Sequence, residues 1–255
     1  MDLEYEKMLL KIPIESDTYL QDSQYIISQM ERIIQHKIDV GENKIILNTN
    51  LKLGLPIENI NKIAGPILEA WAFETFSTIN KDIHNEYKLI NVEAGSRLSV
   101  ADVILQFNRD SSITTGYVDV KATSEDIKNS GKAPNITSFA RIRTEYIKNP
   151  DFIFIILSLK NKTYSTRNID SKLMDGIMEV TKYNVYDLKY ISDRDISYNP
   201  ALGTGQIQIK DIHYVDMEYR TTFELVQLLD YKYLKSSKRD INQWYNLAQK
   251  YEWIK

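Results

Sequence analysis

The sequence predicts a mixed α/β protein, a central mixed β-sheet flanked by helices with an N-terminal helical part. Three observations predict it. Helix-spaced apolar residues recur through the first eighty positions, alternating strand-like runs follow at 100–107 and 116–122, and FIFIILSL at 152–159 has the unbroken apolar character of a strand covered on both faces.

Taken in order, Tyr25, Ile26, Met30, Ile33 and Ile34 recur at helical spacing in the N-terminal part. A second helix is predicted from Ile63 to Thr78, with Ile63, Ile67, Ala70, Trp71 and Phe73 as its buried stripe. Pro66 fits its first turn, where a missing N–H costs nothing, and Glu69 and Trp71 point to different faces. Strands Val100–Phe107 and Gly116–Ala122 follow, joined by the turn NRDSSITTG. SGKAPN has loop chemistry and leads into an amphipathic helix with Phe139, Ile142 and Tyr146 on one side and Arg141, Arg143 and Lys148 toward others. After strand Phe152–Leu159, the segments YNVYDLKYI and GQIQIKDIHYV alternate like strands. Thr221 and Glu224 make a capping box for a helix to about Tyr233, and a last helix runs near Ile241 to Tyr251.

A chain of 255 residues, 43% hydrophobic and 26% charged, can bury a full core, and no linker or repeat divides it, so one domain over 1–255 is expected. No long apolar run is present, and MDLEYEKMLLKIPIE lacks the basic and apolar regions of a secretion signal; an intracellular protein with no membrane contact is expected. The absence of cysteine excludes disulfides, a thiol nucleophile and thiolate-held metals, and His36, His84 and His213 lie far apart. Any metal is then a hard ion held by oxygen. A net charge of −3 argues against a protein that coats nucleic acid indiscriminately, but leaves room for a local basic cleft.

The chemistry concentrates in AD at 101–102 and DVK at 119–121. If the two strands pair as a hairpin around Asn108 to Thr115, Asp102 falls roughly opposite Asp119, and alternation puts Asp119 and Lys121 on one face. Two carboxylates and an amine suit phosphodiester hydrolysis. Mg²⁺ prefers a few carboxylates plus water and substrate oxygens, and an ammonium beside it orients water and offsets charge developing on the phosphate. Asp102 and Asp119 are therefore candidate metal ligands and Lys121 the candidate catalytic amine. The alternative is a chance pattern, with Asp119 and Lys121 a same-face ion pair on an exposed strand, worth little to stability.

Together VADVILQF, VDVKAT and SGKAPNITSF resemble the metal-site and DNA-reading segments of the HincII/EcoRV branch of type II restriction endonucleases, in the PD-(D/E)XK superfamily. AGPILE around Glu69 and NPALGTGQIQI extend the likeness over roughly residues 60–230. The resemblance implies a restriction-endonuclease-like fold, with 1–60 a helical, dimer-forming part, 61–160 a catalytic core, and 161–255 DNA-contacting strands and C-terminal helices. It further implies a Mg²⁺-dependent homodimer that cuts double-stranded DNA at a short palindrome, GTTAAC being the expected site, to leave blunt ends with 5′-phosphates. A cognate DNA methyltransferase and a prokaryotic cytoplasm complete the expectation.

By position, the resemblance makes Asp102, Asp119 and the main chain of Val120 metal ligands, Lys121 the catalytic amine, and Glu69 an auxiliary acid; Glu69 otherwise caps or salt-bridges its helix. Lys132, Ala133, Asn135, Ser138 and Arg141 fall in the DNA-reading segment. Asn135 can donate and accept against a purine edge, or else cap the next helix. Lys132 stands where HincII has a glutamine that wedges into the base stack, so the resemblance carries over no intercalation or DNA bending; a lysine there can contact phosphate instead. Asn199 and Thr204, within the turn before Gly205, form a second groove-facing loop or a plain interstrand turn. Lys128, Arg143 and Lys148 join Lys132 and Arg141 as a phosphate track, or are solvated charges. Three other functions compete: a repair or junction nuclease with the same acids, a DNA-binding protein without catalysis, and an interaction protein to which 17 tyrosines would be suited.

Overall fold

A computed structural model describes residues 3–82, 85–96, 99–110 and 112–255; His84, and Ser111 of the expected turn, lie outside them. The helices are α1 (Leu3–Glu6), α2 (Tyr19–Asp39), α3 (Ile57–Lys62), α4 (Ala64–Lys81), α5 (Phe139–Lys148), α6 (Thr222–Leu234) and α7 (Ile241–Lys250). The strands are β1 (Lys44–Leu47), β2 (Leu89–Ala94), β3 (Val103–Arg109), β4 (Ser112–Ser124), β5 (Asn135–Ser138), β6 (Ile153–Arg167), β7 (Met174–Asp187), β8 (Ile196–Asn199) and β9 (Gln206–Ile209). The mixed α/β class predicted from the sequence is the class observed. Among the described residues, no helix is long and apolar enough to cross a membrane.

The chain forms two compact units. The first comprises Gln24–Gly131 and Ile155–Tyr186; the second comprises Met1–Ser23, Lys132–Phe154 and Asp187–Lys255.

The first unit is built on a six-stranded sheet in the order β1-β7-β6-β4-β3-β2. Its centre is β6, whose residues Ile155, Ile156, Leu157 and Leu159 are fully buried, the expected signature of a strand covered on both faces. Helix α2 buries Ile26, Met30, Ile33 and Ile34, and Ile26 packs so closely on β4 that a Cβ at Gly116 would lie 2.9 Å from its Cγ2. Helix α4 packs against β2 and β4. Its core stripe is Ala64, Leu68, Ala72, Thr75, Phe76 and Ile79, not the Ile63–Phe73 stripe expected. Both stripes of α4 are apolar, and the smaller residues permit the closer approach to the sheet. Ile63 is 40% exposed, while Ala70 and Phe73 line a cleft described below.

Two strands of this sheet were not anticipated, nor were β5 and β8 of the second unit. β1 is four residues long, an edge strand with half its positions exposed, paired antiparallel to β7. β2, the other edge, buries only Leu89 of its six residues and pairs antiparallel to β3 with a register shift between Leu89 and Asn91.

The second unit holds a three-stranded sheet, β5-β9-β8, with α5, α6 and α7. Alternation buries Ile207 and Ile209 of β9 and Ile196 of β8. Helix α6 opens on the expected capping box: Thr221 Oγ1 accepts from Glu224 N–H at 3.2 Å, and Thr221 N–H donates to Glu224 Oε2 at 2.7 Å. The late alternating segments differ from the strands observed: the first is only the end of β7, which starts earlier, at Met174, and the second is a shorter strand than expected. Strand β7 gives way at Asp187 to a 3-10 turn, Leu188–Tyr190, and β9 ends at Ile209.

Candidate active site

The hairpin expected from VADVILQF and VDVKAT is present. β3 and β4 pair antiparallel from Val103↔Val118 to Arg109↔Ser112, closer to the tip than expected, with Asp110 in the left-handed region at φ 47°. Asp102 stands one residue before β3, opposite Asp119. Its N–H donates to the Val118 carbonyl at 2.8 Å, and its Oδ2 accepts the Val120 N–H at 2.8 Å. The Asp102 carboxylate thus replaces a main-chain carbonyl at the end of the ladder, which fixes where it points.

Asp119 and Lys121 share one face of β4 as alternation requires. Lys121 Nζ donates to Asp119 Oδ1 at 2.8 Å and lies 2.7 Å from Oδ2. The second contact is an ion contact without hydrogen-bond alignment: Oδ2 is buried and accepts no hydrogen bond. Because Asp119 is only 5% exposed, the pair is not the surface ion pair of the alternative reading. Burial pushes the Asp119 carboxyl up to about 7; Lys121 opposes the shift, and the charges of Asp102 and Glu69 add to it.

Glu69 lies on the half-buried side of α4. Its carboxyl is raised, chiefly by burial and further by Asp102, while Lys121 lowers it. Three carboxylates and one ammonium therefore share one field. Glu69 and Asp102 line a cleft of 410 Å³ between the Pro66–Phe73 face of α4 and residues 94–96, 99, 101 and 102. Gly95 makes that wall possible, because a Cβ there would lie 1.8 Å from the Ala101 carbonyl oxygen.

Among the described residues, no three His, Asp or Glu side chains form a ready-made metal cage. The oxygens present fit a different coordination. A hard divalent ion that keeps water and substrate oxygens in its shell needs only one or two carboxylates. Asp119 Oδ2, buried and without a hydrogen bond, is the donor such an ion would satisfy.

The other expected residues lie in the second unit. Lys132 is exposed and pairs with Asp211. Ala133, at φ 45°, donates its N–H to the Lys210 carbonyl at 3.0 Å. Asn135 is in β5 and does not cap α5, whose N-cap is Ser138. Ser138 Oγ and Thr204 Oγ1 are 2.9 Å apart, and Thr204 Oγ1 accepts the Ala140 N–H at 3.4 Å, so both hydroxyls are engaged at the start of α5. Asn199 Oδ1 accepts from Ala201 N–H at 3.0 Å, opening the β8–β9 turn. Arg141 and Lys148 are exposed on α5, and Lys128 is exposed in the first unit.

Arg143 is the exception: it is fully buried and bonded to Asp230, so it cannot belong to a phosphate track. Its helical position gave no sign of this, because the partner is 87 residues away. Two further residues escaped the sequence reading. Arg239 clamps the β8–β9 turn through the carbonyls of Pro200 and Gly203 at 3.0 and 2.7 Å. Gln208 bonds both Ala133 and Asn135; the alternation of QIQI was the available signal that its side chain faces outward.

A family model described as type II restriction endonuclease HpaI matches residues 6–252. The type II restriction enzyme HpaI of Haemophilus parainfluenzae is 60% identical over 253 residues, 99% of this chain and 100% of that protein. Among solved structures, NlaIV restriction endonuclease aligns with a TM-score of 0.48 and 11% identity, over 87% of this chain and 84% of its own. The chain belongs to the HpaI family of type II restriction endonucleases.

Proposed function

We propose that this chain hydrolyses phosphodiester bonds of duplex DNA at a short palindromic site, with GTTAAC as the expected sequence, leaving blunt ends with 5′-phosphates, and that Mg²⁺ is its cofactor. The observation that carries the proposal is the buried Asp119 carboxylate, beside Asp102, with Lys121 Nζ against both of its oxygens and no hydrogen bond to Oδ2.

Asp102, Asp119 and the main-chain carbonyl of Val120 would hold the ion. When bound, Mg²⁺ polarises the scissile phosphate and eases ionisation of water near neutral pH. Asp102, tied to the Val120 N–H, keeps its carboxylate oriented before substrate arrives. Lys121 holds a positive charge at the site, where it orients attacking water and offsets charge accumulating on the phosphate. Glu69, with its raised carboxyl in the cleft, is suited to hold or pass a proton at the edge of the site. The exposed Lys132 and Arg141 are suited to phosphate contact, and Ala133, Asn135 and Asn199 to the groove. Ser138 and Thr204 support those segments through α5 and the β8–β9 turn.

A palindrome has two-fold symmetry, so the working form is proposed to be a homodimer. Residues 1–60 are suited to the subunit contact; Ile46, Leu51, Leu53 and Ile57 expose 46–93% of their surface there. A cognate DNA methyltransferase protects the host's own sites, and the pair acts in the cytoplasm of a prokaryotic cell.

Digestion of phage or plasmid DNA with and without Mg²⁺ tests the proposal, using wild type, Asp119→Ala and Lys121→Ala. Discrete blunt fragments from wild type with Mg²⁺, and a loss of roughly a thousandfold or more in each variant, are expected from removing a charge that stabilises the transition state. Intact DNA under every condition, or cutting that survives both substitutions, rejects the site.

A further inference from the structure

The outward face of the three-stranded sheet in the second unit is a plane of amides and hydroxyls. Ile207 and Ile209 are buried, so alternation turns Gln206 and Gln208 outward. The register places Asn135 and Ser197 on either side of Gln208, and Ser138 and Asn199 on either side of Gln206.

Gln208 is the best-determined amide of the group. Its Nε2 donates to the Ala133 carbonyl at 2.9 Å and to Asn135 Oδ1 at 2.9 Å. A main-chain carbonyl only accepts, so the end of Gln208 that faces it must be the NH₂ end. Both hydrogens of that group are then engaged. What remains is Gln208 Oε1, which can only accept, and Asn135 Nδ2, which can only donate. Neither has a partner among the described residues. The geometry that fixes them is itself pinned: Ala133 sits at φ 45° with its N–H bonded to the Lys210 carbonyl at 3.0 Å, and Lys132 pairs with Asp211 on the same turn.

One acceptor and one donor in fixed order match one base. In the major groove, adenine presents an amino donor at N6 beside an acceptor at N7; guanine presents two acceptors, thymine an acceptor and a methyl group, and cytosine a single donor. Guanine would set its O6 against Gln208 Oε1, acceptor against acceptor. Gln208 could turn its amide to suit guanine only by breaking both of its bonds.

We propose that Gln208 is a specificity-determining residue that reads an adenine jointly with Asn135, its Oε1 accepting from the N6 amino group while Asn135 Nδ2 donates to N7. This rests on the proposal that the chain cleaves duplex DNA at a specific sequence, and it adds a strand residue to the loop residues considered above.

The test is an atom-by-atom cycle on cleavage. Wild type, Gln208→Met and Asn135→Ala are assayed for kcat/KM on duplexes carrying the site identified by sequencing the ends of wild-type digests. Each adenine is replaced in turn by 7-deazaadenine, which lacks the N7 acceptor, or by purine, which lacks the N6 amino group. At one adenine, each analogue should slow wild type about ten- to hundredfold, the discrimination expected of a bidentate contact. At that adenine, Gln208→Met should lose its sensitivity to the N6 replacement and Asn135→Ala its sensitivity to the N7 replacement. Thermal melts unchanged from wild type show that the losses are local. A cleaved site without adenine, or equal analogue sensitivity in the variants and wild type at every adenine, overturns this inference alone. Failure of wild type to cut natural DNA removes the cleavage proposal and this one with it.

Discussion

The two units each bury an acid–base pair, and they treat it in opposite ways. In the second unit, Asp230 and Arg143 are both 0% exposed. Asp230 Oδ1 accepts from Arg143 Nε at 2.7 Å and Trp244 Nε1 at 2.8 Å; Oδ2 accepts from Arg143 Nη2 at 2.8 Å and the Tyr5 hydroxyl at 2.7 Å. The guanidinium lies 4.1 Å from the Trp253 ring centroid. In the first unit, Asp119 has a single cation, a half-open lysine, and an oxygen with no hydrogen bond. A carboxylate kept for structure is surrounded by donors. Asp119, proposed for chemistry, is left short of them, where the proposed ion and substrate would complete its shell.

The largest effect expected from breaking this comparison is at the complete pair. Arg143→Leu leaves Asp230 buried without its cation and should cost about 3–5 kcal/mol, read from the guanidinium denaturation midpoint. The double variant Arg143→Leu with Asp230→Leu should recover only part of that. Removing both charges ends the electrostatic penalty, but the Tyr5 hydroxyl and Trp244 indole N–H then lose their acceptor, at about 1–3 kcal/mol each. A single variant within about 1 kcal/mol of wild type would show that the network is not what holds this core, given that buried pairs normally cost more to break.

At the incomplete pair the sign reverses. Asp119 is raised from an ordinary value of 3.8 to about 7, so the folded metal-free protein binds its proton more tightly than the unfolded chain. Folding stability should therefore fall as pH rises from about 4 to about 7, by up to roughly 1.4 kcal/mol per unit. Asp119→Asn removes the buried charge. Metal-free, it should match wild type near pH 4 and exceed it by up to about 4 kcal/mol at pH 8, while losing DNA cleavage. A variant no more stable than wild type at pH 8 would mean that Lys121 alone satisfies Asp119, and that the two pairs do not differ in kind.

Legibility in the sequence followed the range of the interactions. The β3–β4 hairpin was readable because alternation and a short turn are local, and so were the capping box of α6 and the buried run of β6. Placing Asp102 opposite Asp119 needed only that hairpin. What the sequence hid depends on distant partners. Helix α4 has two apolar stripes, and only its packing on β2 and β4 decides which one faces the core. Arg143 looks like any helical arginine until Asp230, 87 positions later, buries it. Gln208 becomes notable only beside Asn135, 73 positions earlier. The short edge strands β1 and β2 carry too few buried residues to leave a period.

The smallest effect sharpens the same contrast with a third carboxylate. Glu224 is exposed at the start of α6, and the Thr221 main chain and hydroxyl donate to it at 2.7 and 3.0 Å. Those bonds hold its carboxyl below the usual range, the opposite shift to that of Asp119. A depressed carboxyl contributes stability above its unfolded value and loses it as pH falls through the folded one. Thr221→Ala removes one donor to Glu224 and one acceptor for the Glu224 N–H. It should cost about 1 kcal/mol at pH 7, typical of a lost N-cap, and less in acid, where the protonated Glu224 no longer gains from the hydroxyl. Denaturant midpoints of wild type and Thr221→Ala across this range would measure the difference. A cost that grows on acidification would contradict the assignment. One that shrinks would place donor supply behind the lowered carboxyl of Glu224, as burial lies behind the raised one of Asp119.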